Sequence, residues 1–176
     1  MINDFELADD VIRLKPFCLE DFEKHLQGDD IEQIKWLNSG NKSTINSVKS
    51  WIKRNQESWE KNGPVFNFAI WTIENEELIG MIEANANSKG VEGIKNGEAN
   101  ISYSLYPNAR GKGYMVRAMN LMQVFLRTKG IKRAVIRVAP ANTNSLKVPI
   151  RCEFSKTGQI VSEKGNILIT FTKELK

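Results

Sequence analysis

The sequence predicts an α+β (mixed α/β) protein in which a central mixed, mostly antiparallel sheet of about seven strands is flanked by helices. Two pairs of β-rich segments joined by turn residues make antiparallel hairpins. One strand–helix–strand unit in the second half adds a crossover, which makes at least one adjacent pair of strands parallel. The element order is strand, helix, helix, three strands, helix, strand, helix, two strands. At 176 residues the chain makes one domain, 1–176, since no stretch is left for a second core.

Residues 11–15, Val-Ile-Arg-Leu-Lys, alternate apolar and charged side chains and read as a strand ended by Pro16. Residues 19–27 read as a short helix stopped by Gly28. From 44 to 61, Ile45, Val48, Trp51, Ile52 and Trp59 fall mostly on one face, Thr44 serves as cap, and Gly63-Pro64 ends the helix. The period then changes to that of strands, with 65–73 and 77–86 forming a hairpin. Residues 87–97 carry three glycines and no periodicity, a mobile loop, before the next strand at 99–106 runs into Pro107. A glycine turn opens into an apolar helix that ends at Gly130; 131–139 is a strand, 142 to about 152 a short helix, and 154–161 with 165–173 a terminal hairpin.

Composition removes whole classes of function. Hydrophobic residues are 41% and charged residues 26%, which is ordinary for a globular protein, and no apolar run approaches the ~18 residues of a membrane span. Lys+Arg 25 against Asp+Glu 21 leave a charge of +4, too small and too scattered to announce nucleic acid but enough to welcome an anion. Trp36, Trp51, Trp59 and Trp71 sit in patterns that look like core, so they build no stacking surface for bases. With one histidine, His25, and two cysteines, Cys18 and Cys152, no usual zinc site can form and no metal is expected. A Ser-His-Asp or Cys-His mechanism would need His25, which reads as a helix-surface residue. The acidic opening, Met-Ile-Asn-Asp-Phe-Glu-Leu-Ala-Asp-Asp, lacks the basic segment and apolar stretch of a secretory signal, so a reducing cytoplasm is expected and the cysteines need not pair.

The chemistry concentrates at Arg110, Gly111, Lys112, Gly113, Tyr114 and Met115, where a strand hands over to a helix. The first turn of a helix has unpaired N–H groups and a partial positive charge, the glycines let backbone close on a ligand, and Arg110 and Lys112 add charge, so a phosphate or diphosphate fits. The string is neither a P-loop nor a dinucleotide fingerprint, and a tight glycine turn accounts for it alone equally well.

Two motifs decide between these. Tyr103-Ser-Leu-Tyr-Pro107 followed by Arg110-Gly-Lys-Gly-Tyr-Met115, and downstream Asn142-Thr-Asn-Ser145 with Arg151-Cys-Glu-Phe154, resemble the GNAT superfamily of N-acetyltransferases, and more closely its ribosomal-protein N-terminal acetyltransferase branch, the RimJ/RimL type. The opening Ile12-Arg-Leu-Lys-Pro and Glu20-Asp are also similar to that branch, so the resemblance spans almost the whole chain. It implies a sheet with a splayed parallel pair, ending near Tyr106 and Ala139, that takes the pantetheine arm of acetyl-CoA. The arm would bond to backbone of Ser104, Leu105 and Tyr106, the diphosphate to N–H groups of residues 110–115, and Asn142 to the arm from the other side. An N–H near Tyr103 would hold the oxyanion, and Ser145 would protonate the departing thiolate. The competing reading of Ser145 is a helix cap.

The sequence departs from the branch at three places. Met115 stands where a small residue is usual and would crowd the diphosphate. Glu153 replaces the glycine before Phe154, and Pro149 replaces the tyrosine that protonates the thiolate in many relatives. The general base is open as well. The branch often has a glutamate where Asn100 stands; Glu98, on the same strand face, and Glu83, on the neighbouring strand, are the candidates. Exposed strand-edge carboxylates are the alternative for both. Arg117 and Lys147 would meet the nucleotide 3′-phosphate or be solvated. The reaction implied is direct attack of a primary amine on the thioester in a ternary complex. A lysine amine titrates near ~10.4 and an α-amine near ~7.7–8.0, so an α-amine needs only a weak base. The acceptor, a protein N-terminus, a polyamine or an antibiotic amine, is not chosen by any motif, and a homodimer is left open. A non-catalytic acetyl-CoA-binding module or sensor is the rival; no nucleic acid and no membrane partner is expected.

Overall fold

In the computed structural model, residues 5–37 and 40–176 are described; the first four residues of the acidic opening lie outside the described residues. Among the described residues eight strands form one sheet: β1 (Leu7–Ala8), β2 (Ile12–Pro16), β3 (Val65–Thr72), β4 (Leu78–Asn85), β5 (Glu98–Leu105), β6 (Arg133–Val138), β7 (Ser155–Val161) and β8 (Ile167–Glu174), in the order β1-β2-β3-β4-β5-β6-β8-β7. Among the described residues only β5 and β6 pair in parallel. The strand beyond the expected seven is β1, too short for alternation to reveal. It is turned into β2 by Asp9, whose Oδ1 accepts the N–H groups of Val11 and Ile12 at 2.7 and 2.8 Å.

Five helices accompany the sheet among the described residues: α1 (Phe22–Gln27), α2 (Ile31–Trp36), α3 (Ile45–Glu60), α4 (Tyr114–Thr128) and α5 (Thr143–Arg151). Register assigns the faces. Phe68 lies opposite Ile82 and Ile82 opposite Tyr103, so these three share one face, and α4 covers it with Met115, Ala118, Met119, Met122, Phe125 and Leu126 at helical spacing. The other face carries Asn67, Glu83 and Ser102 in one row and Ala69, Met81 and Ser104 in the next. Over the second row, Phe17 just after β2 and Val48 and Ile52 of α3 pack against Ala69, Leu78, Met81 and Tyr106, with Phe22 and Leu26 of α1 at the margin.

Three readings of the sequence are corrected here. His25 is buried: its ring stacks on Trp51 at 4.9 Å and its Nδ1 lies 2.7 Å from the Tyr106 hydroxyl. A 3-10 turn at Leu19–Asp21 precedes α1, and its three-residue period lines up Leu19, Phe22 and His25 where a 3.6-residue count does not. Burial lowers the His25 pKa to about 4, so the ring is uncharged at neutral pH. Trp36 is not core; it lies along α2, donating to Glu32 at 2.8 Å under the Lys35 ammonium. The helix α2 itself has too few residues for periodicity and is capped by Asp30, which accepts from the Gln33 N–H at 2.9 Å.

At the end of α5, Glu153 has φ +61°, a left-handed conformation that favours glycine. Its N–H bonds to Ile150 O at 3.1 Å and that of Phe154 to Pro149 O at 2.9 Å, the paired bonds of a Schellman cap. The departure at Glu153 is therefore a backbone cost. Glu153→Gly should stabilise the protein by about 1 kcal/mol and raise the calorimetric Tm by about 2–4 °C.

Candidate active site

Pairing between β5 and β6 is short. Glu98, Ala99 and Asn100 pair with Arg133, Ala134 and Val135, while β5 runs on to Leu105 and β6 to Val138. Past Asn100 the two strands form a fork inside an otherwise continuous sheet. Strand alternation says which backbone groups face it. The Tyr106 N–H bonds to Ile79 O at 2.9 Å on the β4 side, and Gly97 O accepts from Lys132 and Arg133 on the β6 side. Hence Ser102, Ser104 and Tyr106 turn their amides into β4, and Ile101, Tyr103 and Leu105 turn theirs into the fork. Of the backbone contacts expected at Ser104, Leu105 and Tyr106, only Leu105 faces the gap; the edge open to a ligand is Ile101, Tyr103 and the Leu105 N–H.

The arm of the fork on β5 leads through a 3-10 turn at Pro107–Ala109 into the glycine turn. Gly111 and Gly113 have φ +78° and +82°, and a Cβ built on either would meet nothing within 4 Å. Gly113 caps α4. Among the described residues no protein group accepts from the N–H groups of Gly111, Lys112, Gly113, Tyr114 and Met115, which leaves donors at the positive end of a fifteen-residue helix. Met115 does not crowd this turn: its side chain is buried in the main core at 5% exposure. Arg110 adds no free charge. Its guanidinium makes a bidentate pair with Asp30, the cap of α2, at 2.6 and 2.9 Å and donates to Leu105 O at 2.9 Å. It straps α2 to the turn instead. Arg117 is held by Asp9 and Asp10 at 2.9 and 2.7 Å, whereas Lys112 and Lys147 are exposed.

On the β6 side, α5 begins at the mouth of the fork. Asn142 caps it, its Oδ1 accepting the Ser145 N–H at 3.2 Å. The cap is thus Asn142, and the half-buried Ser145 hydroxyl has no protein hydrogen bond among the described residues. Tyr103 reaches across the fork and donates its phenol proton to Ser145 O at 2.9 Å.

The sheet face opposite α4 carries the polar row. Glu83 lies opposite Ser102 on one side and opposite Asn67 on the other, whose Nδ2 donates to Glu83 Oε2 at 3.1 Å. Burial raises the Glu83 pKa above the ordinary carboxylate value, against the lowering effect of the Asn67 amide. Asn100 donates to Ser102 Oγ at 3.3 Å and accepts from Arg137 Nε at 3.0 Å. Arg137, which the sequence reading passed over, also donates to Glu92 O; half-burial lowers its pKa, against the raising effect of the nearby Glu92 charge. Its signal was present: alternation in β6 puts it on the face of Asn100, opposite Ala134, Ile136 and Val138. Glu98 is elsewhere. It sits at the closed end of the fork, ~16 Å along the strand from Tyr103, buried, paired to Arg133 at 2.9 Å and accepting from the Lys95 N–H at 3.0 Å. Among the described residues, no three His, Cys, Asp or Glu side chains cluster as a metal would need, and no helix is long and apolar enough to cross a membrane.

Comparison with known proteins places this geometry. Solved structures similar to the chain include the ribosomal-protein-S5-alanine acetyltransferase from Vibrio fischeri, 17% identical over 98% of this chain and 98% of that one with TM-score 0.79. Another is the microcin C7 self-immunity acetyltransferase MccE in complex with acetyl-CoA and AMP, 22% identical over 94% and 93% with TM-score 0.80. A third is RimL, the ribosomal L7/L12 α-N-protein acetyltransferase, in complex with coenzyme A, 18% identical over 97% and 98% with TM-score 0.79. At these identities the likeness is one of fold. No curated protein matches the sequence. The family model for the acetyltransferase (GNAT) domain matches residues 12–155, from the first residue of β2 to the first of β7, and the chain belongs to the GNAT family of acetyltransferases.

Proposed function

We propose that the protein transfers the acetyl group of acetyl-CoA to the α-amine of an amino acid or peptide by direct attack in a ternary complex. The observation that carries this is the fork. Unpaired backbone inside a sheet is costly unless another chain of amides completes the ladder, and this one leads straight to a helix start whose donors are free. The residues fit acetyl-CoA: Ile101, Tyr103 and Leu105 would hold the arm, residues 111–115 the diphosphate, and the Asn142 side-chain amide the arm's other edge. When bound, the cosubstrate supplies a thioester carbonyl open to amine attack.

The chain's own groups would do the rest. The Tyr103 N–H faces the fork as a donor for the oxyanion, the kind of contact worth about 2.7–4 kcal/mol in other enzymes. Ser145 Oγ, free of any cap, would donate to the thiolate. Glu83 would take the proton of the amine; burial raises its pKa, the direction that makes a carboxylate a better base. Neither cysteine suits a covalent route: burial pushes the thiol of Cys152 up to about 11 and that of Cys18 up to about 12, so thiolate is scarce. Both are free, which suits a reducing cytoplasm.

Arg137 favours an α-amino acceptor over a polyamine or an antibiotic polycation. A half-buried guanidinium that makes no salt bridge among the described residues, on the same face as Glu83, repels a second ammonium and welcomes the carboxylate or carbonyl oxygens beside an α-amine. Ser145→Ala tests the chemistry. It should lower kcat roughly tenfold, the worth of one hydrogen bond to a charged group, with little change in KM for acetyl-CoA, because the contact is made in the transition state. A wild-type kcat would remove Ser145 from the mechanism.

A further inference from the structure

We propose that the Tyr103 side chain is a positioning residue: its phenol supplies the hydrogen bond that Pro149 withholds from α5, and so fixes Ser145 against the fork. The proposal rests on the reading of Ser145 as the donor to the thiolate. Pro149 lies inside α5, two residues before its end. Having no N–H, it leaves the carbonyl four residues earlier without a helical partner, and its ring crowds that same carbonyl. That carbonyl belongs to Ser145, and it is the group to which Tyr103 donates at 2.9 Å.

Both backbone groups of Ser145 are therefore held by side chains. Asn142 takes its N–H from within α5, and Tyr103 takes its C=O from the opposite arm of the fork. Only the hydroxyl is left for a ligand. Pro149 is buried, and Leu146 and Val148 pack on the main core, so the helix cannot easily swing to find water for the orphaned carbonyl. Burial raises the phenol's pKa above its ordinary value, which keeps it a donor. One residue then sets two distances, since the Tyr103 N–H faces the fork while its side chain holds Ser145 across it. The brace also gives the strand arm and the helix arm of the fork a direct polar tie where the ladder has none.

The test is a rescue. Tyr103→Phe keeps the ring but leaves the Ser145 carbonyl unsatisfied; Pro149→Ala restores an amide that can donate to it. Kcat and KM for acetyl-CoA, and the Tm, are measured for Tyr103→Phe, Pro149→Ala and the double variant, and Tyr103→Phe is repeated in Ser145→Ala. Tyr103→Phe should lower kcat about tenfold, the loss expected when the Ser145 hydroxyl is no longer held to make its hydrogen bond to the thiolate, with KM for acetyl-CoA unchanged. Adding Pro149→Ala should return most of that loss in kcat and in Tm, and Tyr103→Phe should cost kcat nothing further once Ser145 is alanine. A folded Tyr103→Phe with wild-type kcat overturns the proposal, as does a double variant no faster than Tyr103→Phe. Wild-type kcat in Ser145→Ala overturns the underlying role of Ser145 instead, and that result is read from the single variant.

Discussion

Titrated with acetyl-CoA in a calorimeter, Gly113→Asp should bind at least a hundredfold more weakly than the wild type, about 2.7 kcal/mol. The donors of residues 111–115 point to one place because Gly113 takes φ +82° at the cap of α4. An aspartate there strains the turn and sets a carboxylate against a diphosphate, with like charges replacing N–H donors at the helix start. Gly113→Ala separates the two causes, since it carries the strain without the charge. It should bind more tightly than Gly113→Asp and more weakly than the wild type. The structural penalty of a left-handed alanine or aspartate is about 1–2 kcal/mol, and the Cβ meets nothing within 4 Å, so both variants should fold. Equal affinities for Gly113→Asp and wild type would move the diphosphate elsewhere.

Glu83→Gln should lower kcat/KM at neutral pH by about 10²-fold, the lower end for a general base, because an α-amine is already partly deprotonated there. The acid limb of the wild-type profile should lie above the ordinary carboxylate range and vanish in the variant. Stability should move the other way. A carboxyl whose pKa is raised in the folded state holds its proton more tightly there than in the unfolded chain, so the fold loses stability as pH rises from the unfolded value through the raised one. Glutamine has no such loss. Its Tm should match the wild type below that window and exceed it at neutral pH, which is the mark of a strained functional group and the reverse of what a surface carboxylate gives. A profile that follows only the acceptor amine in both proteins would leave proton removal to water and catalysis to positioning.

Long elements were legible because their periods are long. β3, β4 and α4 carry enough residues for alternation or helical spacing to declare them, and Thr44 was readable as the α3 cap, where it accepts from Ser47 N–H at 3.1 Å. β1 and α2, with two and six residues, are made by Asp9 and Asp30 instead of by pattern. The glycine turn was readable from helix-end physics, and the splay came only through the resemblance, because nothing local in β5 says that pairing with β6 stops at Asn100. Contacts made at long range were hidden. Arg110 looked like a ligand for phosphate and is spent on Asp30, eighty residues away. Glu98 and Glu83 looked alike, and only register separates a carboxylate paired to Arg133 at the closed end from one held by Asn67 beside the fork. Pro149 read as a loss of a catalytic tyrosine; that its missing amide is met by Tyr103 needed the fold.

Acetyl-CoA in the fork should give its acetyl group to an α-amine. The measurement that bears on it most directly is thiol release from acetyl-CoA in the presence of a lysine-containing peptide, free or blocked at its α-nitrogen, with the product located by mass spectrometry. Release is expected with the free peptide, matched by one acetyl group on the α-nitrogen, and none above background with the blocked one. Release with neither peptide and with no free amino acid, while acetyl-CoA still slows hydrogen exchange at residues 111–115, would make the protein a binding module and contradict that expectation.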